Sequence, residues 1–280
     1  MSETQASLPQ IPFGDVRLSR LILGANPING GSHLSRFVNN QMKRYFTPEC
    51  IQATLAQCQA DGINTWQSGM GNLQAYREYV DGGGEMRYIA LSADYEAQPT
   101  MLEDLVAGGT LAVAHHGEVT DVFWREGRID KVHEYCKRIR DAGAMVGIST
   151  HIPDVVNHVV SEGWDVDFFM CCVYERHRTR EQLLARLGHV PLPLNEVYLE
   201  DDPPRMYEAM RNAEQPCLAF KILAAGRLCD KQAWVETAFE HAFRSIKPTD
   251  AVIVGMYPEY EDQIALNADY TRRFSPLSGS

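Results

Sequence analysis

No stretch of this 280-residue chain approaches the ~18 consecutive apolar residues of a membrane-spanning helix. Its opening, MSETQASLPQ, lacks the basic and apolar regions of a secretory leader, so a cytoplasmic location with no membrane partner is expected. Basic residues are outnumbered, with 26 Lys and Arg against 37 Asp and Glu and a net charge of −11. They form no run able to track a phosphate backbone, which argues against nucleic acid as a partner. The seven cysteines are odd in number and lack CxxC spacing, as expected of reduced thiols rather than a disulfide framework. A facing pair of glutamates of the kind glycoside hydrolysis needs is not evident, which weakens that class.

Eight short apolar runs are present: Leu21 to Asn26, Ile63 to Ser68, Arg87 to Ser92, Leu111 to His116, Val146 to His151, Phe168 to Tyr174, Cys217 to Lys221 and Ala251 to Met256. Each is too short for a buried helix and most are rich in Val, Ile, Leu or Phe, as strands covered on both faces are. Segments with helical period and caps lie between them. One runs from Thr47 to Asp61, and others begin near Leu73, Met101, Ile129, Pro153, Thr179, Pro204, Lys231 and Pro258. Alternating strands and helices at this length predict an α/β fold, a single (β/α)₈ TIM barrel over residues 1–280 with an extension at 1–15. Two connections, 27–46 after strand one and 175–216 after strand six, exceed ordinary βα loops and should lie on the C-terminal face, where such barrels place their chemistry. Within the second, GHVPLPLNEVYLEDDPPRM reads as an irregular excursion.

Nearly every run ends in polar or ionisable side chains. Alternation along the fourth strand turns one of His115 and His116 toward the barrel mouth, without deciding which. In the fifth, the small and polar set Gly147, Ser149 and His151 is the inward candidate. Cys171, Tyr174 and Glu175 follow on the sixth. A thiol, two imidazoles and a carboxylate from three successive strands have the composition of a zinc, iron or other transition-metal site, expected as His115, His151 and Cys171 with Glu175 or His33 as a further ligand. Core packing is the competing expectation for one of Cys171 and Cys172. Lys221 could serve as a Schiff-base nucleophile, a general base or a fixed cation. Asn26, Gln67, Ser68, Ser92 and Asp94 could orient hydroxyls or carbonyls, and His33 could fold over the mouth. Arg227 favours an anion near strand seven, while Glu259, Glu261 and Asp262 oppose one.

The segments LSRLILGANPINGG, GINTWQSG, VGIST, FKILAAGRL and VIVGMYPEYEDQIALN resemble strands one, two, five, seven and eight of the aldo/keto reductase superfamily. The resemblance implies the same barrel and register. It also implies that the reductases' catalytic Asp is replaced by Gln67, their Tyr by Asn72 and their Lys by a position near Ser92, while His115 is kept. Phe220 matches an aromatic that stacks on nicotinamide, but the acidic PEYED segment suits a 2′-phosphate poorly. The motifs at Asn26 to His33, His115 to Gly117, Thr150 to Pro153, Met170 to Cys172 and Cys217 to Ala225 are more similar to a bacterial group on this scaffold without the reductase Asp, Tyr and Lys.

Together these readings predict a metal-dependent lyase, isomerase or hydrolase acting on a small polar metabolite, sugar-like or keto-acid-like. His115, His116, Lys221 and Glu175 are the expected catalytic groups. Asn26, His33, Gln67, Ser92, Ser149, Tyr174, Phe220 and Arg227 are the expected substrate contacts. The alternatives are an atypical NADP-dependent reductase using His115 with Tyr76 or Tyr174, and a non-catalytic ligand-binding barrel. A homo-oligomer is compatible with the sequence and not required by it.

Overall fold

The computed structural model describes residues 7–93, 101–192 and 196–275. The chain enters through an antiparallel hairpin, β1 (Gln10–Phe13) and β2 (Val16–Ser19). This hairpin takes up part of the 1–15 extension expected from the sequence and runs on to Ser19. The hairpin's Ile11, Phe13 and Leu18 are fully buried and pack with inward barrel residues Ala112, Phe168 and Leu218, so it closes one end of the barrel.

Eight parallel strands then form the closed barrel: β3 (Leu21–Gly24), β4 (Thr65–Gly69), β5 (Arg87–Ser92), β6 (Ala112–His115), β7 (Met145–Thr150), β8 (Phe168–Cys172), β9 (Cys217–Phe220) and β10 (Ala251–Gly255). They pair in sequence order, and β10 closes on β3. This is the (β/α)₈ TIM barrel that the alternating pattern predicts. Each coincides with one of the eight apolar runs, β4 and β7 extending one residue past theirs at Gly69 and Met145, because a strand covered on both faces is mostly apolar.

Helices α2 (Pro48–Ala60), α3 (Leu73–Asp81), α4 (Met101–Ala107), α6 (Asp130–Asp141), α7 (Pro153–Ser161) and α10 (Gln232–Ser245) follow the expected segments. Thr47 caps α2 through its hydroxyl, with Pro48 at the first helical position. Three elements depart from expectation. The first long connection folds partly into α1 (Arg36–Tyr45), capped by Ser35. A helix not anticipated, α5 (Gly117–Arg125), follows β6 directly. The last helix, α11, begins at Gln263 rather than Pro258, where the Asp262 side chain caps it. The second long connection holds α8 (Arg180–Leu187) and α9 (Asp202–Asn212), whose prolines occupy its first turn.

Two side-chain sets follow from strand alternation. Ile22, Ile89, Ala112, Ala114, Phe168, Met170, Leu218, Ala251 and Ile253 fill the barrel interior, while Leu23, Trp66, Tyr88, Val113, Val146, Phe169, Cys171 and Ala219 pack against the helices. Gly147 is inward because Phe168 lies across it. A Cβ built there would meet the Phe168 ring at 2.2 Å, so the glycine makes room for the largest interior side chain on the neighbouring strand.

Candidate active site

The C-terminal face opens into a cavity of about 400 Å³, within the range of small-molecule sites. Its floor is apolar, with Leu91, Met170 and Ile253. Its walls carry Asn26, His33, Gln67, His116, Glu118, Ser149, His151, Arg176, Phe220 and Lys221. Both long connections reach it: the first brings His33, and the second begins at the end of β8, where it brings Arg176.

The alternation left open for the histidine pair is settled by Ala112 and Ala114, which point inward with His116. His115 therefore faces the helices, where its Nδ1 pairs with the Thr120 hydroxyl at 2.7 Å and its ring meets Tyr135 and Phe123. Burial pushes its pKa down to about 3, with the His116 charge acting in the same direction. This is a structural histidine, and the expectation that it is catalytic or a metal ligand is corrected.

Cys171 also lies on the helical side of the barrel wall. It is fully buried, and both its hydrogen bond with Cys217 and its desolvation push its thiol up. The expected metal set of His115, His151 and Cys171 is thus divided between opposite faces of the wall. Among the described residues no group of three or more His, Cys, Asp or Glu side chains is arranged to hold a metal ion.

Four other expected contacts are displaced. Ser92 faces outward and shares a 2.6 Å hydrogen bond with the Tyr135 hydroxyl. Tyr174 packs on Tyr198 away from the cavity. Glu175 is tied to Arg178 at 3.2 Å and to Arg205 at 2.8 Å, which fastens the second connection rather than serving the mouth. Arg227 lies at the rim, its guanidinium donating to the His33 carbonyl and stacking over Tyr198 at 4.0 Å. Asp94 lies outside the described residues.

His151, inward as expected, is held by a partner the sequence reading missed. Its Nδ1 is 2.7 Å from Oδ2 of Asp121, on α5. The Asp121 carboxylate also accepts the Thr150 hydroxyl at 2.6 Å and the His151 backbone N–H at 3.2 Å. Asp121, buried and acceptor-only when ionised, fixes the His151 tautomer with its proton on Nδ1. Nε2 has no hydrogen-bond partner among the described residues and belongs to a ring that lines the cavity. Gly117 allows this approach of α5, since a Cβ there would lie 2.8 Å from Ser149 Oγ and 3.4 Å from His151 Cε1.

Burial lowers His151 from its ordinary 6.5 to about 4, outweighing the opposing hydrogen bond and charge of Asp121. The unfolded chain then binds a proton between those two values that the native state does not. Stability is accordingly full above pH 6.5 and falls as the pH drops toward 4. Thermal unfolding near neutral pH and in that acid window is expected to show this loss, and His151→Asn to reduce it.

Two strands further on, just past the end of β9, Lys221 Nζ lies 3.1 Å from His33 Nε2, and His33 Nδ1 lies 2.8 Å from Glu196 Oε1. The Asn26 amide nitrogen also meets His33 Nε2, at 3.1 Å. An Nδ1–H donated to Glu196 leaves Nε2 as the acceptor of both. Buried Arg176 is paired with Glu118 and Glu196. Burial raises Glu196, but His33 and Arg176 outweigh it and hold the carboxyl at about 2. His33 and Lys221 both take left-handed backbone, with φ of 57° and 63°, a conformation that costs a non-glycine residue about 1–3 kcal/mol and gathers at functional sites. Arg176, Glu118, Glu196 and Asp121 sit in polar loop or helix segments, and only a three-dimensional pairing distinguishes them from surface charges.

No protein-family profile matches the chain, and neither does any curated protein sequence. Among solved structures it is similar to a truncated 3-deoxy-D-arabino-heptulosonate 7-phosphate synthase from Thermotoga maritima, with TM-score 0.53 and 13% identity over 97% of this chain and 92% of that one. It is equally similar to the glycerol dehydrogenase of Gluconobacter oxydans, with TM-score 0.53 and 12% identity over 97% and 98% of the two chains. The second is an aldo-keto reductase. What they share with this chain is the barrel.

Proposed function

We propose that this protein is an enzyme of lyase or isomerase type that moves a proton at the carbon beside the carbonyl of a small, uncharged, sugar-like metabolite. The observation that carries this reading is the Asp121–His151 pair, with the unengaged Nε2 of a neutral imidazole on a cavity that also holds Lys221. A buried carboxylate behind an imidazole orients it and stabilises the imidazolium formed when it takes a proton. Lys221 supplies the group that meets the carbonyl. His116, also inward and lowered chiefly by its burial, is placed to return a proton.

The charge balance favours a neutral substrate. Arg176 is neutralised by Glu118 and Glu196, so it is not an open receptor for a carboxylate or phosphate. Lys221 is the cavity cation without a carboxylate at ion-pair distance among the described residues. The metal dependence expected from the sequence forms no part of this proposal, because the donors named for it do not converge.

The test is solvent exchange. Dihydroxyacetone incubated with the enzyme in D₂O is expected to acquire deuterium at carbon, read by proton NMR, at a rate proportional to enzyme. An unchanged spectrum would overturn the reading.

Phe220 and Tyr257 on the cavity wall favour a second reading, a nicotinamide-dependent reductase. The proton donor such an enzyme needs is not supplied at the resembled positions, since Asn72 is bound to Asn29 and Ser68, and Ser92 faces away. Micromolar quenching or enhancement of NADPH fluorescence would favour this reading instead.

A further inference from the structure

We propose that Lys221 acts as a covalent nucleophile, forming an iminium with the carbonyl carbon of a neutral hydroxy-aldehyde or hydroxy-ketone, and that His33 is its proton acceptor. The inference rests on the proton-transfer reading above and specifies what Lys221 does in it.

Three features separate a nucleophilic amine from a fixed cation. First, the Nζ partner is a ring nitrogen rather than a carboxylate. His33 Nε2, at 3.1 Å, is left as an acceptor because Nδ1 is committed to Glu196. Glu196 thus stands to His33 as Asp121 stands to His151, and the cavity is lined by two carboxylate-oriented imidazoles. Second, the carboxylates nearest Lys221 are already used: Arg176 takes Glu118 and Glu196, and no ion pair anchors the ammonium among the described residues. Third, the chain leaves β9 through a left-handed Lys221, followed by left-handed Ala224 and Ala225, and the lysine lines the cavity between Phe220 and Ile222. Burial lowers the Lys221 pKa, and the Arg176 charge adds to this while Cys172, Glu196 and Glu118 oppose it. Desolvation of the amine is an environment that activates lysine toward carbonyls.

The step balances without an external reagent. His33 Nε2 takes one proton from the ammonium, and the free Nζ pair forms the C–N bond as the carbonyl π pair moves to oxygen. That oxygen acquires a proton from nitrogen through the same imidazole, then a second from His33, and leaves as water. The net change is ammonium plus carbonyl to iminium plus water. The positive iminium makes the neighbouring C–H more acidic, and His151 Nε2 is the base placed to remove that proton.

Reductive trapping tests this. The folded protein is incubated with dihydroxyacetone and sodium cyanoborohydride, and the products are read by intact mass and peptide mapping. One adduct is expected, on Lys221, absent in Lys221→Met and formed about a hundredfold more slowly in His33→Ala. Adducts spread evenly over the surface lysines, with Lys221 unmodified in the wild-type peptide map, would overturn the proposal without relying on any variant. Deuterium exchange measured in parallel separates the two readings. Exchange without trapping at Lys221 removes the iminium and keeps the base, whereas trapping at Lys221 without exchange keeps the iminium and removes the base.

Discussion

Asp121→Asn is expected to leave the protein folded and to slow exchange of dihydroxyacetone carbon protons with solvent by about 10³- to 10⁴-fold, the scale of losing an oriented general base. Asparagine has nearly the shape of aspartate and can still meet the Thr150 hydroxyl and the His151 backbone N–H, both of which Asp121 engages now. What it loses is the acceptor-only character that fixes the ring. An asparagine N–H turned toward Nδ1 would select the other tautomer, placing a proton on Nε2 where the reaction needs a lone pair. It would also remove the negative charge that stabilises the imidazolium. His151→Ala should cost a similar amount, and the double variant little more than either single one, because the two residues act as a unit. NMR exchange rates with a circular dichroism check of folding provide the measurement. A loss of less than tenfold in Asp121→Asn would show that the pair is structural.

Phe168→Ala is expected to give the largest stability loss, about 3–5 kcal/mol, as for other fully buried aromatics. Phe168 is fully buried at the barrel centre, its ring 5.1 Å from Phe13 of the entry hairpin and lying across Gly147. A closed barrel of eight hydrogen-bonded strands cannot contract to fill the space, so the cavity term should be near its upper range. The void would lie beside β7, the strand that carries Ser149 and leads into His151. Denaturant unfolding should show the shift in midpoint, and Phe168→Leu should recover a large part of it. A change below 1 kcal/mol would mean that the hairpin and Gly147 readjust to close the gap.

The barrel was legible because each strand needs an unbroken apolar run and each run ends where the chain turns polar. Length and helix caps then left little freedom in how the elements connect. The inward placement of His151 was also legible, since the small Gly147 and Ser149 share its face. The histidine pair was not, because Ala112 and Val113 are both apolar and alternation alone cannot choose between faces. The strand fixes only that His115 and His116 are separated, and the hydrogen bond between His115 and Thr120 on α5 accompanies the outward choice.

The donors expected to hold a metal are separated for a related reason. His115, His151 and Cys171 share neighbouring strand ends in the sequence, yet the wall between two of them and the third is the sheet itself. Helix α5 hid its role because HHGEVTDVF has no apolar run that announces a buried acid, and Asp121 looks like a surface residue until the helix is docked. Glu175 and Arg176 exchanged importance, since adjacent residues on an irregular loop carry no period that tells which enters the mouth.

The sequence by itself determined the eight strands, their order and the end of the barrel at which chemistry collects, because apolar periodicity and chain length are local and additive. Only the tertiary structure decided the partners: Asp121 with His151, Glu196 with His33, His33 in turn with Lys221, and Arg176 with two carboxylates. These depend on distances between loops far apart in the chain. An ionisable side chain acquires its chemical role from what lies within about 3 Å of it, through hydrogen bonding and desolvation.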